Sequence, residues 1–313
     1  MVVRAVSVGV GLPGMPDQHT AAPGPAAAGV HVLRYTAFSH DPSGGNPAGV
    51  VLDAGGLDDA AMLAIAAEVG YSETAFLWPL QDHGEYRIRY FSPAAEVPFC
   101  GHATIASAVA LADHGAGGAM RFRTNSGEVA VRVAHNDEGH PLATLTSVPP
   151  SVGAASGAVV AEALAALGWS ADVIDPQLPP MIAFAGARHL VFGVRTRELL
   201  AEMAYDFDRL RTLMAAEGWT TAQLVWREGP VLFHARVPFP IGGVVEDPAT
   251  GAGAAALGAY LRELRLVEPP ARVTIRQGED MGRPSLLMVD IDSGNGGIHV
   301  SGTAVALPAG HRL

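Results

Sequence analysis

Lysine is absent from all 313 residues, and the 20 positive side chains are arginines. This excludes a lysine Schiff base with a carbonyl substrate or pyridoxal phosphate, and it excludes a phosphate-loop lysine. Cysteine occurs once, as Cys100. One thiol allows neither an internal disulfide nor a two-thiol mechanism within one chain, and it fits a reducing compartment. Positive charge is scarce: the net charge is −11 and the sequence pI is about 5.5. A nucleic-acid partner needs a basic face, and no arginine cluster supplies one. No apolar run reaches the roughly 18 to 20 residues of a membrane span. The brief apolar stretch between Arg4 and Leu12 is closed by Pro13-Gly14, a weak match to a signal peptide. The expected location is the cytoplasm. The histidines, among them His114, His135, His140, His189 and His234, show no zinc-ligand spacing, so no metal site is expected.

The apolar fraction is 49%, enough for large cores, and the length suits two domains. One short stretch occurs twice. The first copy is Glu96-Val97-Pro98-Phe99-Cys100-Gly101-His102-Ala103-Thr104. The second is Glu246-Asp247-Pro248-Ala249-Thr250-Gly251-Ala252-Gly253-Ala254, and 96 plus 150 is 246. Each copy opens an Ala-rich helical run, Ala103 to Asp113 and Ala252 to Glu263. A helix start has unpaired N–H groups and partial positive charge, which suits a carboxylate or phosphate. Two such starts suggest a pseudo-symmetric pair of domains with an anionic ligand between them. Ala66-Ala67-Glu68 and Ala215-Ala216-Glu217 extend the match. The halves differ where the first places Glu73, because the second has only Thr221 and Ala222 there.

Residues 1–30, rich in Ala, Gly and Pro, read as a disordered extension. Gly9, Gly11 and Gly14 formally match a dinucleotide fingerprint, but Pro13 and Pro16 interrupt the helix that it needs. The first domain is expected over 31–149 and the second over 150–297, with Pro149-Pro150 at the boundary. Strands are expected at His31–Phe38, Ala48–Leu52, Tyr71–Trp78, Tyr86–Phe91, Met120–Arg123, Glu128–Ala134 and Ala143–Val148. The second half reads as helix Val159–Leu167, strands Met181–Gly186 and His189–Val194, and helix Phe207–Glu217. Strands Ala222–Trp226 and Val231–Arg236 follow, and after the second repeat Val273–Gln277, Ser285–Ile291 and Ile298–Leu307. A helix over Leu57–Val69 carries Met62, Ile65, Ala66 and Val69 on one face. In Tyr71–Trp78, alternation puts Tyr71, Glu73, Ala75 and Leu77 on one face and Ser72, Thr74, Phe76 and Trp78 on the other. Neither face is wholly polar, so Glu73 can point inward. A buried Glu next to an apolar wall, here expected from Tyr71, Ala75, Phe76 and Trp78, makes a stronger general base.

Six short motifs in order resemble the phenazine-biosynthesis PhzF-like family of the diaminopimelate-epimerase-like fold, over about residues 31–307. They are Gly45-Asn46-Pro47-Ala48, Ser72-Glu73-Thr74-Ala75-Phe76, Phe91-Ser92-Pro93 with Glu96–Thr104, Glu246–Gly251, Gln277-Gly278 and Gly282-Arg283-Pro284-Ser285. The resemblance implies an α+β fold of two pseudo-symmetric domains, each a mixed β-sheet rolled around a central helix. The last strand, about 298–307, would return to the first domain, and the active site would lie in the cleft. It also implies a homodimer with no metal or organic cofactor, acting on a small-molecule carboxylate. The motif Glu falls on Glu73 as proton shuttle. The motif His and Asp fall on His102 and Asp247, which would hold substrate groups or assist proton transfer. Backbone N–H groups near Gly101, His102, Gly251 and Ala252 would cradle the carboxylate, and Asn46 joins the substrate-binding set. Two departures stand out. Racemases and epimerases of this fold carry a cysteine at each helix start, whereas Cys100 is matched here by Thr250. The family often has Ser where this chain has Ala252.

Three readings remain open on the residues alone. One is a cofactor-independent isomerase moving a proton between carbons of a small amino- or hydroxy-carboxylic acid, as in phenazine biosynthesis. The second is an amino-acid racemase or epimerase using Glu73 with Cys100. The third is a non-catalytic small-molecule binder on the same fold.

Overall fold

The computed structural model describes residues 29–308. The extension and its glycine pattern therefore lie almost wholly outside the described residues. The first half runs β1 (Leu33–Ala37), β2 (Asn46–Val51), α1 (Asp59–Val69), β3 (Glu73–Pro79), β4 (Glu85–Phe91), β5 (Glu96–Val97), α2 (Gly101–Asp113), β6 (Gly118–Thr124), β7 (Gly127–His135) and β8 (Pro141–Thr146). The second half runs β9 (Ser151–Ala154), α3 (Gly157–Ala166), β10 (Met181–Phe184), β11 (Arg188–Gly193), α4 (Arg197–Ala201), α5 (Phe207–Glu217), β12 (Thr221–Arg227), β13 (Leu232–Arg236), α6 (Gly251–Glu263), β14 (Ala271–Gln277), β15 (Ser285–Ile291) and β16 (His299–Ala306).

Strands β1-β2-β3-β4-β6-β7-β8-β16 form one path, which closes because β16 also pairs with β1, Tyr35 opposite Ala306. The path continues from β16 through β15, β14, β13, β12, β11 and β10 to β9. The halves repeat each other in pairing direction. β2 is parallel to β3 as β11 is to β12, and β4 is parallel to β6 as β13 is to β14.

Local chemistry repeats too. Asp58 caps α1 by accepting from the Ala61 N–H, and Asp206 caps α5 by accepting from the Arg209 N–H. Gly70 and Gly218 end these helices in the left-handed conformation that glycine adopts without strain. The central helices α2 and α6 are buried on nearly every face and share one core with the strands around them. A helix apolar all round belongs inside, and its alanines let the strands pack close. Helices α3 and α5 cover a second core, and α1 a third, on the outer sides of the sheets.

One glycine is fixed by its surroundings. Gly278 has φ +74°, and a Cβ there would lie 2.3 Å from the Arg283 carbonyl oxygen and 2.7 Å from that of Pro248. Both are backbone atoms that cannot swing aside. Gly278→Ala is therefore expected to lower stability by about 3 kcal/mol or more, read as a lower denaturant midpoint. An unchanged midpoint would contradict this packing.

Candidate active site

Helices α2 and α6 begin side by side. A Cβ placed on Gly101 would lie 3.4 Å from the Gly251 Cα. Two glycines at these positions let the backbones approach. Phe38 has φ +64°, and its ring reaches under Gly251. Gly302 leaves room for it, since a Cβ there would fall 2.2 Å from the ring.

Neither helix is capped by its preceding side chain. Cys100 and Thr250 make no capping hydrogen bond, so the first-turn N–H groups stay available to a ligand. The loops entering both helices are clamped alike. Arg89 pairs bidentately with Glu96, at 2.7 Å for each bond, and Arg236 pairs bidentately with Glu246. The repeat marks the two glutamates; their arginine partners were not legible in it.

A cavity of about 490 Å³ opens between the two helix starts. Glu73, Gly101, His102, Asp247, Gly251 and Ala252 all line it, together with Phe99, Cys100, Trp219, Thr221 and Phe239. Glu73 opens β3 and is 8% exposed, so its carboxylate does point inward. Its Oε2 lies 3.4 Å from His102 Nε2. The Cys100 Sγ lies 3.3 Å from His102 Nδ1, and the Ser72 hydroxyl is 3.4 Å from Nε2.

The expected wall is different. Phe76 and Tyr71 pack with Phe91 in the outer core under α1, and Trp78 packs against that core. Strand alternation carries Phe76 to the face opposite Glu73. The aromatic side chains that line the cavity together with Glu73 come instead from elsewhere in the chain: Phe99, Trp219 and Phe239.

Asn46 does not line the cavity. Its Nδ2 donates to Asp247 Oδ1 at 2.7 Å and to the Ala249 carbonyl at 3.1 Å. Asp247 also accepts from the Thr250 hydroxyl at 2.6 Å, and Gln277 Nε2 donates to the Asp247 carbonyl at 2.7 Å and to Thr250 Oγ1 at 3.0 Å. Asn46, Thr250 and Gln277 together fix one carboxyl group at the mouth of α6.

The electrostatics follow from burial. Asp247 is pushed up to about 7, first by burial and then by the charges of Glu73 and Glu246, against the hydrogen bonds from Thr250 and Asn46. Burial pushes His102 down, with the Glu73 charge acting the other way, so its imidazole is neutral near pH 7. The Cys100 thiol is pushed up by burial and by the Glu73 and Asp247 carboxylates, so it holds its proton. The donor atoms of Glu73, Cys100 and His102 lie within 4.8 Å of one another, as do those of His40, Glu138 and His140 on the surface. A metal at the first cluster would have to deprotonate that thiol.

A family model described as phenazine biosynthesis-like protein, PhzC-PhzF, matches residues 35–310. The trans-2,3-dihydro-3-hydroxyanthranilate isomerase of Pseudomonas fluorescens is 33% identical, over 86% of this chain and 97% of that protein. The uncharacterized isomerase YddE of Escherichia coli (strain K12) is 31% identical, over 88% and 96%. A crystal structure of the Bacillus anthracis phenazine biosynthesis protein of the PhzF family superposes with a TM-score of 0.80 at 25% identity, covering 89% of this chain and 97% of that one. The expected α+β architecture of two related halves is the one observed. No described helix is long and apolar enough to cross a membrane.

Proposed function

The chain belongs to the phenazine biosynthesis-like (PhzC-PhzF) family, and from that premise we propose an isomerase that moves a proton between carbons of a small amino- or hydroxy-carboxylic acid, with Glu73 as the base. The observation that carries this is the buried Glu73 carboxylate, 3.4 Å from His102, in a cavity that opens between two uncapped helix starts.

The substrate carboxylate sits on the N–H groups of Gly101, His102, Gly251 and Ala252. Glu73 takes a proton from one carbon, the electron pair shifts along the conjugated system, and Glu73 returns the proton to another carbon on the same face. The helix starts stabilise the negative charge that develops meanwhile. Asp247, poised near neutral pH, holds or protonates the amino or hydroxyl group, with His102 as its neutral companion. None of these steps uses a metal or organic cofactor. A cytoplasmic homodimer is part of the same reading; the single cysteine supports the compartment.

The test is deuterium uptake from heavy water, followed by NMR. The compound that names the Pseudomonas fluorescens relative is the first probe, followed by amino- and hydroxy-acids. Uptake at ring carbons supports the isomerase. Ligand binding without uptake in any compound would overturn it in favour of a binding protein.

The racemase reading makes a separate demand. With Thr250 opposite Cys100, no second thiol is present. The raised thiol also makes Cys100 a poor base. Cys100→Ser is therefore expected to keep turnover within about threefold, whereas a role in proton transfer predicts a loss of 10²-fold or more. Chiral analysis of the product in the same reaction separates the two.

A further inference from the structure

The two halves of the cavity are not chemically equal. In the first half, Glu73 on β3 stands opposite Ala48 on the parallel strand β2. In the second, Thr221 on β12 stands opposite His189 on the parallel strand β11. Thr221 is thus the counterpart of Glu73, and His189 the counterpart of Ala48. At the helix starts, 102 plus 150 is 252, so the counterpart of His102 is Ala252. The second half has lost both the carboxylate and that imidazole, and it has gained another imidazole on the neighbouring strand.

Strand alternation fixes the direction of His189. Val191 and Val225 lie two and four residues beyond His189 and Thr221, and both pack in the central core that holds α6. His189 and Thr221 share that inward face. Both are among the residues that line the cavity, as are Thr250 and Ala252. His189 Nδ1 is taken by the Thr221 hydroxyl at 2.7 Å. Nε2 has no hydrogen-bond partner among the described residues, although the side chain is 0% exposed. Burial pushes this imidazole down to about 4, which leaves it neutral at physiological pH. A neutral ring has one donor and one acceptor nitrogen, and leaving either unpaired in the interior is unfavourable. The side chain persists there in spite of that, beside a cavity.

We propose that His189, anchored by Thr221, forms a second binding end of this cavity and uses Nε2 to recognise a hydroxyl or amino substituent of the bound acid. It sets which acids are accepted; the proton transfer itself belongs to Glu73. This rests on the isomerase reading for the placement of the acid's carboxylate, but it is tested by binding and not by turnover.

The probes are three pairs of acids differing by one hydroxyl: 3-hydroxyanthranilate and anthranilate, 4-hydroxyproline and proline, serine and alanine. Affinities are measured for the wild-type protein, for His189→Leu, and for Thr221→Val, a milder change should leucine prevent folding. The expected result is that one hydroxylated acid binds the wild type roughly tenfold tighter than its partner. His189→Leu brings the ratio to about one, with the affinity for the plain acid within about threefold, and Thr221→Val gives a smaller loss of the same kind. In 15N-labelled protein, the His189 Nε2 resonance moves with the hydroxylated acid and stays with its partner.

A merely structural role for His189 would weaken both acids equally and leave the ratio unchanged. That outcome overturns the proposal. So does an unmoved Nε2 resonance with bound ligand, and so does failure of all six acids to bind. Discrimination at His189 without deuterium uptake would sink the isomerase reading alone, so the two failures are distinguishable.

Discussion

Replacing Glu73 by Gln should lower turnover by on the order of 10³–10⁴-fold, while the folded protein and its affinity for the acid are retained. The size comes from the removal of the only carboxylate that the first half gives to the cavity lining among the described residues; a general base contributes about 10²–10⁴-fold. Gln matches the shape, and its side-chain oxygen can still accept from His102, so the packing has no reason to collapse. The charge leaves a spectroscopic mark elsewhere. Glu73 now holds Asp247 and the Cys100 thiol up and partly offsets the burial of His102. All three titrations therefore move downward in Glu73→Gln, by NMR of the labelled side chains. Deuterium uptake and these titrations are read on the same sample. Retained uptake would sink Glu73 as the base. Lost uptake with unmoved titrations would mean that the variant had altered the site in some other way.

The fold was largely visible in the chain because its signals are local and repeated. The helix Phe207–Glu217 and the strand Ser285–Ile291 coincide with the expected limits, since an Asp cap, a Gly stop and clean alternation define them. β5, with two residues, is too short to show a period, and β9, Ser151–Ala154, follows Pro149-Pro150 in a small-residue stretch that reads as a linker. The helix starts were legible through the repeat, and Glu73 through its motif and the mixed faces of its strand. The surroundings of each were not. Which aromatic rings line the cavity with Glu73 is decided by chain segments more than twenty residues away, and Phe76, the obvious neighbour in sequence, points to the other side. Asn46 was marked by its motif, but a motif does not tell whether an amide touches the ligand or another residue's carboxylate. His189 is one histidine in an apolar strand; only the parallel pairing that sets it against Thr221 gives it a meaning.

Asp247 offers the second large effect, and it separates chemistry from stability. Asp247→Asn should lower turnover by roughly 10²-fold and remove the limb of the pH–rate profile that falls near pH 7. It should not unfold the protein. The new side-chain oxygen still accepts from Asn46, and the new amide can donate to the Thr250 hydroxyl oxygen, which has a lone pair left beside the Gln277 bond. The stability effect then has a definite sign. The unfolded carboxyl titrates near 3.8 and the folded one near 7. Between those values the native protein holds a proton that the unfolded chain has released, so the native state gains from acid and loses as pH rises through about 7. The span from 3.8 to about 7 corresponds to an upper bound of about 4 kcal/mol. The wild-type unfolding free energy minus that of Asp247→Asn should therefore fall by up to that amount between pH 4 and 7 and then level off. Taking the difference cancels the surface pairs, such as Arg209 with Glu162, whose carboxylates are held low and favour the opposite slope. A flat difference would mean that Asp247 titrates like an ordinary carboxylate. A rising one would mean that its hydrogen bonds from Asn46 and Thr250 outweigh its burial. Repeating the comparison with Glu73→Gln in both proteins should shrink the fall, because the Glu73 charge is one of the causes that hold Asp247 high.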